Sequence, residues 1–177
     1  MNSADLDRLR SAIRDVQDFP QTGVLFKDIT PVLADAHLLR LAMDGMEEFT
    51  EGQRVDKVVG IDARGFIFGA MLAARLGCGF IPARKKGKLP WRTHCVNYEL
   101  EYGTASLEMH EDAIAPGENI ILADDLLATG GTSAAALELV HGMGGNIVGS
   151  LFFIELAFLK GRDKMQHFGP VKSVIEY

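Results

Sequence analysis

The chain reads IILADDLLATGGT from Ile120 to Thr132, and this stretch decides the fold. The apolar run from Asn119 to Ala123 is typical of a strand that is buried on both faces of a parallel sheet. Two glycines, Gly130 and Gly131, then allow a tight turn in which consecutive N–H groups point at one anion. A helix from about Thr132 to His141 follows and adds its positive N-terminal end. The stretch therefore predicts a strand, a phosphate-binding loop and a helix.

The pair Asp124-Asp125 distinguishes this loop from other phosphate-binding loops. A P-loop requires a lysine directly after its last glycine, and this chain has none there. The glycine spacing of a dinucleotide-binding fingerprint is also absent. Carboxylates that faced a phosphate would repel it, so the pair suits neutral sugar hydroxyls or a developing positive charge. Asp and Thr are also ordinary helix caps, so a simple cap at the start of the helix is the alternative interpretation.

Short apolar runs alternate with helical patterns along the rest of the chain. Helices are predicted over residues 3–17, 36–51, 65–76 and 132–141, and strands over residues 57–61, 80–83, 96–101, 104–110, 119–123, 146–154 and 171–177. This alternation predicts an α/β protein with a central, mainly parallel sheet flanked by helices. Ligands bind beyond the carboxyl ends of such strands, so the loops after Ile61, Ala83, Ala123 and Ile154 are the candidate site.

The composition is that of one compact domain. The chain has 177 residues, of which 47% are hydrophobic, and we expect a single domain over residues 1–177. A net charge of −6 argues against broad nucleic-acid binding, and no apolar run is long enough to span a membrane. The N-terminus lacks the pattern of a secretory signal, and Cys78 and Cys95 suggest neither a disulfide framework nor a zinc site. We therefore expect a cytoplasmic protein without nucleic-acid or membrane partners.

The stretch from Ile120 to Thr132 resembles the phosphoribosyl-pyrophosphate motif of the type I phosphoribosyltransferases. That resemblance implies the fold of the family, with an N-terminal hood and a mobile β-hairpin loop over the central sheet. It also implies that Asp124 and Asp125 hold the ribose hydroxyls. The residues implied to hold the 5′-phosphate are Ala128, Thr129, Gly130, Gly131 and Thr132.

Other segments resemble the adenine-specific members of that family. They are FPQTGVLFKDITP at residues 19–31, GIDARGF at 60–66, KGKLP at 86–90, YELEYG at 98–103 and LKGR at 159–162. The resemblance implies a hood of about residues 1–34 with 155–165, a core of about 35–154 with 166–177, and a catalytic loop over about 86–104. It covers essentially the whole chain, and the segments occur in the family's order.

The hood residues are implied to bind the base. The resemblance places Leu25 and Leu156 on the two sides of a purine, and the backbone around Leu25 and Lys27 against its amino edge. Phe26 belongs to the same apolar patch, although Leu25 and Phe26 fit packing in the protein core equally well. Many members carry Arg where this chain has Lys27, so the charge is kept but the bidentate fork is lost.

Two further segments are expected to bind pyrophosphate and to cover the reaction. The fork of Arg64 matches phosphate oxygens, and the resemblance implies a cis peptide between Asp62 and Ala63 that turns an N–H toward pyrophosphate. Catalytic roles are expected for Arg64, Asp124, Asp125 and the loop residue Glu101, which is implied to hydrogen-bond the purine and handle its proton. Additional substrate contacts are expected from Lys85, Lys88 and the lid residue Tyr102. A solvated charge run is the alternative for Lys85.

The resemblance implies transfer of ribose 5-phosphate from phosphoribosyl pyrophosphate to adenine, which yields AMP and pyrophosphate in purine salvage. Magnesium is the expected cofactor, held mainly by substrate and water, and a homodimer is the expected assembly. Two alternatives stay open. One is a related enzyme for hypoxanthine, guanine or xanthine. The other is a non-catalytic regulator that senses phosphoribosyl pyrophosphate.

Overall fold

The computed structural model describes residues 1–100 and 103–177. Its helices are α1 (Ser3–Ala12), α2 (Thr30–Ala34), α3 (Ala36–Glu48), α4 (Gly65–Leu76) and α5 (Gly131–Gly142), with short 3₁₀ helices at Ala157–Leu159 and Gly161–Lys164. Its strands are β1 (Arg14–Gln17), β2 (Leu25–Asp28), β3 (Lys57–Ile61), β4 (Gly79–Lys85), β5 (Thr93–Leu100), β6 (Gly103–His110), β7 (Asn119–Leu127), β8 (Asn146–Glu155) and β9 (Val171–Glu176). None of the helices in these ranges is both long and apolar enough to cross a membrane.

Seven strands form the central sheet, in the order β5-β6-β4-β3-β7-β8-β9. Strands β4, β3, β7, β8 and β9 run parallel, whereas β5 and β6 form an antiparallel hairpin that joins the edge of β4. This arrangement confirms the predicted α/β fold with a mainly parallel sheet. Because β3 and β7 are neighbours near the middle of the sheet, the loops that follow them lie side by side.

The two faces of the sheet are buried in two apolar clusters. Successive residues of a strand point to opposite faces, so Val58 packs with helices α1 to α4 while Val59 packs with α5. The same alternation divides Ile121 from Leu122 on β7, and each of these four side chains is at most 1% exposed. Burial on both faces explains why the central strands are apolar at consecutive positions.

The N-terminal segment differs from its prediction. The helix expected over residues 3–17 ends at Ala12, and the following residues form β1, which pairs antiparallel with β2. The helical spacing of the apolar residues reflects burial of Leu9 and Ile13, but Val16 lies opposite Phe26 in the two-stranded ladder. This ladder supplies backbone hydrogen bonds to two short strands that lie outside the central sheet.

Other predicted boundaries shift at the ends of elements. The patterns miss α2, a short helix with Pro31 in its first turn, and α3 ends at Glu48 rather than at residue 51. Strand β7 continues past Ala123, because its pairing with β8 extends to Leu127 opposite Glu155. The two aspartates of the motif are therefore strand residues, whereas the sequence predicts them in a loop.

Residues 155–165 leave the end of β8 and are fastened to the sheet by Arg162. Its Nε donates to Glu155 Oε1 at 3.0 Å, its Nη2 contacts Glu155 Oε2, and its Nη1 donates to the Val171 carbonyl at 2.7 Å. Glu155 is 3% exposed. Burial alone would raise the pKa of Glu155, but hydrogen bonds from Arg162 and Ser173 outweigh it and lower that pKa. A nearly buried ion pair therefore holds this segment in place.

Arg162→Ala is expected to destabilise the fold, because it leaves the Glu155 carboxylate buried without its counter-charge. Breaking a buried pair costs about 3–5 kcal/mol, and we expect about 2–3 kcal/mol here since the Arg162 side chain is 36% exposed. Urea unfolding at neutral pH measures the change. The control is Arg8→Ala, whose exposed guanidinium lies 3.9 Å from Asp5. Equal losses for the two variants would contradict the structural role of Arg162.

The loss of stability in Arg162→Ala is expected to depend on pH. The pKa of Glu155 is lowered in the folded protein, so the stabilisation is present above the unfolded-state pKa and is lost as the pH falls through the lowered value. The difference in free energy of unfolding between wild type and Arg162→Ala should therefore shrink in acid. A difference that stays constant on acidification would indicate that packing, rather than charge, carries the effect.

Candidate active site

A cavity of about 390 Å³ lies at the carboxyl ends of β3 and β7. Strand ends, the loop before α5 and the β5–β6 hairpin all contribute to its wall. The lining residues are Ile61, Asp62, Ala63, Arg64, Lys85, Tyr98, Leu107, Asp124, Asp125, Leu126, Ala128, Thr129, Gly130, Gly131, Thr132 and Ser133. This set contains the whole predicted phosphate loop, both aspartates of the motif and the predicted pyrophosphate residues Asp62, Ala63, Arg64 and Lys85.

The loop from Ala128 to Thr132 has the backbone that an anion cradle requires. Gly130 has φ +75°, a left-handed conformation that favours glycine, and it precedes the first turn of α5. Within the described residues, α5 has Gly130 at its N-cap and no side-chain cap hydrogen bond. The cap interpretation of the aspartates and threonines is therefore wrong. The N–H groups at the start of α5 remain directed toward the cavity end of the helix.

Gly161 presses the segment of residues 155–165 against this loop. A Cβ atom on Gly161 would overlap the Ala128 carbonyl oxygen and lie 2.9 Å from the Gly130 nitrogen, so the two backbones are in direct contact. Gly161 lies in the segment LKGR at residues 159–162, for which the resemblance implies no separate role. Its position shows that the backbone at Gly161 supports the loop directly.

Asp124 and Asp125 lie near the carboxyl end of β7 as two adjacent carboxylates. The Asp124 Oδ1 accepts a hydrogen bond from the Asp125 N–H at 2.9 Å, and the Asp125 Oδ2 lies 2.9 Å from Arg64 Nε. Burial raises the pKa of Asp124 well above its usual range, and the charge of Asp125 raises it further. Burial also raises the pKa of Asp125, although Arg64 opposes that change. The site therefore holds negative charge at a high electrostatic cost.

Gly65 admits the Asp124 carboxyl group to this position. A Cβ atom on Gly65 would overlap Asp124 Oδ1 and lie 3.1 Å from its Cγ and 3.2 Å from the Ala123 carbonyl oxygen. Gly65 begins α4 directly after the loop that carries Arg64. Sequence reasoning missed this role, although the position of a glycine at the first turn of a helix after a buried strand is a signal for close approach.

The loop after β3 connects the cavity to the basic residues Arg84, Lys85 and Lys88. The peptide bond between Asp62 and Ala63 is cis, as the resemblance implies. Asp62 Oδ2 lies 2.9 Å from Arg84 Nε, and Arg84 Nη1 donates to the Lys88 carbonyl at 3.0 Å. Lys85 lines the cavity, whereas Lys88 does not. The basic residues of this segment thus have two roles: Lys85 lines the cavity, and Arg84 holds Asp62 in place.

The predicted base-binding residues lie beside the cavity rather than in its lining. Leu25 is 44% exposed, which excludes simple core packing for its side chain. Phe26 packs edge-on against Phe19 at 5.1 Å between ring centroids and lies under the Arg64 guanidinium at 5.2 Å. Arg64 therefore contacts Phe26 of β2 on one side and Asp125 on the other.

Lys27 and Leu156 are engaged within the protein. The Lys27 ammonium lies 2.6 Å from Asp15 Oδ1 and 3.9 Å from the centroid of the Tyr177 ring. The Leu156 side chain packs against the apolar cluster that contains Val58 and is only partly buried. Glu101 and Tyr102 lie outside the described residues, so their expected roles stay predictions.

The fold and the loop define a class of protein, the phosphoribosyltransferases. A family model described as a phosphoribosyl transferase domain matches residues 34–176. The adenine phosphoribosyltransferase of Nitrosococcus oceani is 51% identical over 172 residues, which cover 97% of this chain and 100% of that protein. This chain therefore belongs to the adenine phosphoribosyltransferase family.

Solved structures of that family have the same architecture. The adenine phosphoribosyltransferase of Rhodothermus marinus superimposes with a TM-score of 0.96 at 50% identity and covers 99% of this chain and 100% of its own. The Saccharomyces cerevisiae enzyme, complexed with adenine and D-2,5-dideoxy-2,5-imino-altritol 1,6-bisphosphate, has a TM-score of 0.92 at 39% identity, with coverage of 98% and 99%.

Asp124→Asn is expected to lower turnover and to stabilise the free protein. A raised carboxyl pKa means that the folded state is penalised as the pH rises through that pKa, so removing the charge relieves the penalty at neutral pH. We expect a gain of about 1 kcal/mol in the free energy of unfolding and a loss of at least about 100-fold in kcat. Thermal unfolding and steady-state kinetics measure the two effects, with Asp7→Asn on exposed α1 as control. Unchanged kcat would refute the role of Asp124.

Gly65→Ala is expected to reduce turnover by displacing the Asp124 carboxyl group. The added methyl group overlaps that carboxylate, so its oxygens must move from the cavity wall. We expect at least about a tenfold loss of kcat. Gly142→Ala is the matched control, because a Cβ there meets nothing within 4 Å. If Gly65→Ala turned over substrate at the rate of Gly142→Ala, the carboxylate position would not depend on Gly65.

Proposed function

We propose that this protein transfers ribose 5-phosphate from phosphoribosyl pyrophosphate to adenine and releases AMP and pyrophosphate. One observation carries the proposal: a glycine-bent anion loop and a buried carboxylate pair face the same cavity. The loop suits the 5′-phosphate, and the carboxylates suit the ribose hydroxyls next to it. The bound adenine of the S. cerevisiae relative supports the choice of base.

The two anionic groups of phosphoribosyl pyrophosphate would bind to different residues of the cavity. The 5′-phosphate would bind the N–H groups and hydroxyls of Ala128 to Thr132. The pyrophosphate would bind Arg64, Lys85 and the backbone of the Asp62–Ala63 loop, which line the same cavity. Asp124 and Asp125 also line it, and we propose that they act where positive charge develops as the bond to pyrophosphate breaks. Positioning and electrostatics would then supply most of the catalysis.

The base would approach from the hood. We place adenine beside Leu25, Phe26 and Leu156, with the backbone around Lys27 at its amino edge, because this exposed apolar patch adjoins Arg64. A ring nitrogen of adenine attacks the anomeric carbon while the bond to pyrophosphate oxygen breaks, and the ring nitrogen loses its proton. Glu101 is proposed to handle that proton, and Tyr102 to cover the base.

Magnesium is the proposed cofactor. Carboxylate oxygens such as those of Asp124 and Asp125 are donors that Mg²⁺ prefers, so the cavity fits this ion. Among residues 1–100 and 103–177, no group of three or more His, Cys, Asp or Glu side chains could hold a metal ion alone. We therefore propose that the donor and water supply most ligands. When bound, the ion would neutralise the leaving pyrophosphate.

The assembly and location stay proposals as well. We propose a homodimer that works in the cytoplasm in purine salvage. The family resemblance supports both statements. Sedimentation of the purified protein tests the first, because a dimer has twice the mass of the chain.

Pyrophosphate release is the direct test of the proposed function. Wild type mixed with phosphoribosyl pyrophosphate and Mg²⁺ is expected to release pyrophosphate with adenine, and to do so at least about 100-fold more efficiently than with hypoxanthine, guanine or xanthine, because the site must pair with the amino edge. Chelation of the metal should abolish release.

The controls separate the alternative functions. The Asp124→Asn variant supplies the background rate, and each base is also tested in competition with adenine. Preference for another purine would keep the enzyme class and overturn the hood assignment. Tight binding of the donor without release with any base would indicate the regulator that senses phosphoribosyl pyrophosphate.

A further inference from the structure

Tyr98 joins the β5–β6 hairpin to the phosphate loop. Its hydroxyl oxygen lies 3.3 Å from Thr132 Oγ1, which donates to it, and both side chains line the cavity. The Tyr98 ring is partly buried against the apolar cluster that contains Val59. The body of the side chain is therefore fixed, while its hydroxyl group faces the loop. The proposed function assigns no role to this residue.

The backbone around Tyr98 lies directly on the start of α5. A Cβ atom on Gly131 would lie 3.4 Å from the Glu99 carbonyl oxygen and 3.9 Å from Tyr98 Cδ2. A side chain at position 131 would thus touch the hairpin, so the hairpin and the first turn of the helix lie close together at this point.

The hydrogen bond between the two hydroxyls is weak. A distance of 3.3 Å exceeds the usual 2.7–2.8 Å for an O–H···O bond. In this contact the Tyr98 oxygen is the acceptor, so its own proton remains for another acceptor. An anion bound at the loop would offer stronger, charge-assisted hydrogen bonds to both hydroxyls.

We infer, on the basis of the proposed function, that Tyr98 is a further substrate-binding residue whose hydroxyl donates to the 5′-phosphate together with Thr132. The bond ties the hairpin to the bound donor. Glu101 follows three positions later in the sequence. Occupation of the phosphate loop would thus fix the end of β5 that carries Tyr98.

Tyr98→Phe tests this inference, because it removes the hydroxyl and keeps the packed ring. Binding of AMP and ribose 5-phosphate, measured by calorimetry, is expected to weaken about tenfold, which corresponds to about 1.4 kcal/mol. Binding of inorganic pyrophosphate, which lacks the 5′-phosphate, should stay unchanged. A purely structural role of the hydroxyl would weaken all three ligands alike or none of them.

Ser106→Ala is the matched control variant. Ser106 lies on the same hairpin and donates to Asn97 Oδ1 at 2.7 Å, so this variant loses a hairpin hydroxyl that is not part of the cavity lining. It should bind all three ligands as wild type does. Thermal unfolding of both variants verifies that the fold is kept.

A double-mutant cycle with Thr132→Val gives the decisive result. If the two hydroxyls bind one phosphate, their effects on AMP affinity are coupled, and the double variant loses less than the sum of the single losses. Wild-type affinity of Tyr98→Phe for AMP and ribose 5-phosphate would overturn the inference, whether or not the enzyme uses adenine. The absence of adenine-dependent pyrophosphate release by wild type would instead overturn the proposed function.

Discussion

The contact of Arg64 with Asp125 is the interaction on which the site depends. Two carboxylates at the end of a central strand lose solvation and repel each other, and burial raises the pKa of both. Arg64 offsets this cost at 2.9 Å from Asp125, and the Asp125 N–H donates to Asp124. The same guanidinium lies against Phe26 of β2. One side chain thus couples the charge of the cavity to the position of β2.

The site also depends on glycines that allow segments of the chain to approach each other closely. The Asp124 carboxyl group fits only because Gly65 has no side chain, and the loop before α5 fits only because Gly130 and Gly161 meet without side chains. These glycines come from three separate segments of the chain. The cavity is therefore shaped by backbone, which leaves the N–H groups at the start of α5 accessible to an anion.

The sequence predicts the elements that have strong apolar patterns and misses features that are set by pairing between strands. The strands over residues 57–61 and 146–154 and the helix over residues 65–76 have strong apolar patterns, and the structure has them with shifts of at most two residues. Residues 14–17 continue the helical spacing of α1, but a ladder with β2 overrides it. The pair Asp124-Asp125 was predicted in a loop because polar residues interrupt an apolar run, whereas pairing with β8 continues through both. The sequence predicts Tyr98 in a strand but gives no sign of its contact with the phosphate loop, since only the packing of the hairpin near α5 brings the two together.

The contacts of Lys27 give a physical account of this residue, at a position where the resemblance implies Arg in many members of the family. A compact ammonium group fits between the Asp15 carboxylate and the face of the Tyr177 ring, and it is held there at 2.6 Å and 3.9 Å. That contact joins β2 to the end of the chain, in the same way that Arg162 joins residues 155–165 to β8 and β9. Lys27 therefore fixes β2, and the positive charge that faces the cavity comes from Arg64 and Lys85 among the described lining residues. Lys27 and Arg162 thus make structural contacts, Lys85 lines the cavity, and Arg64 contacts both the cavity and Phe26 of β2.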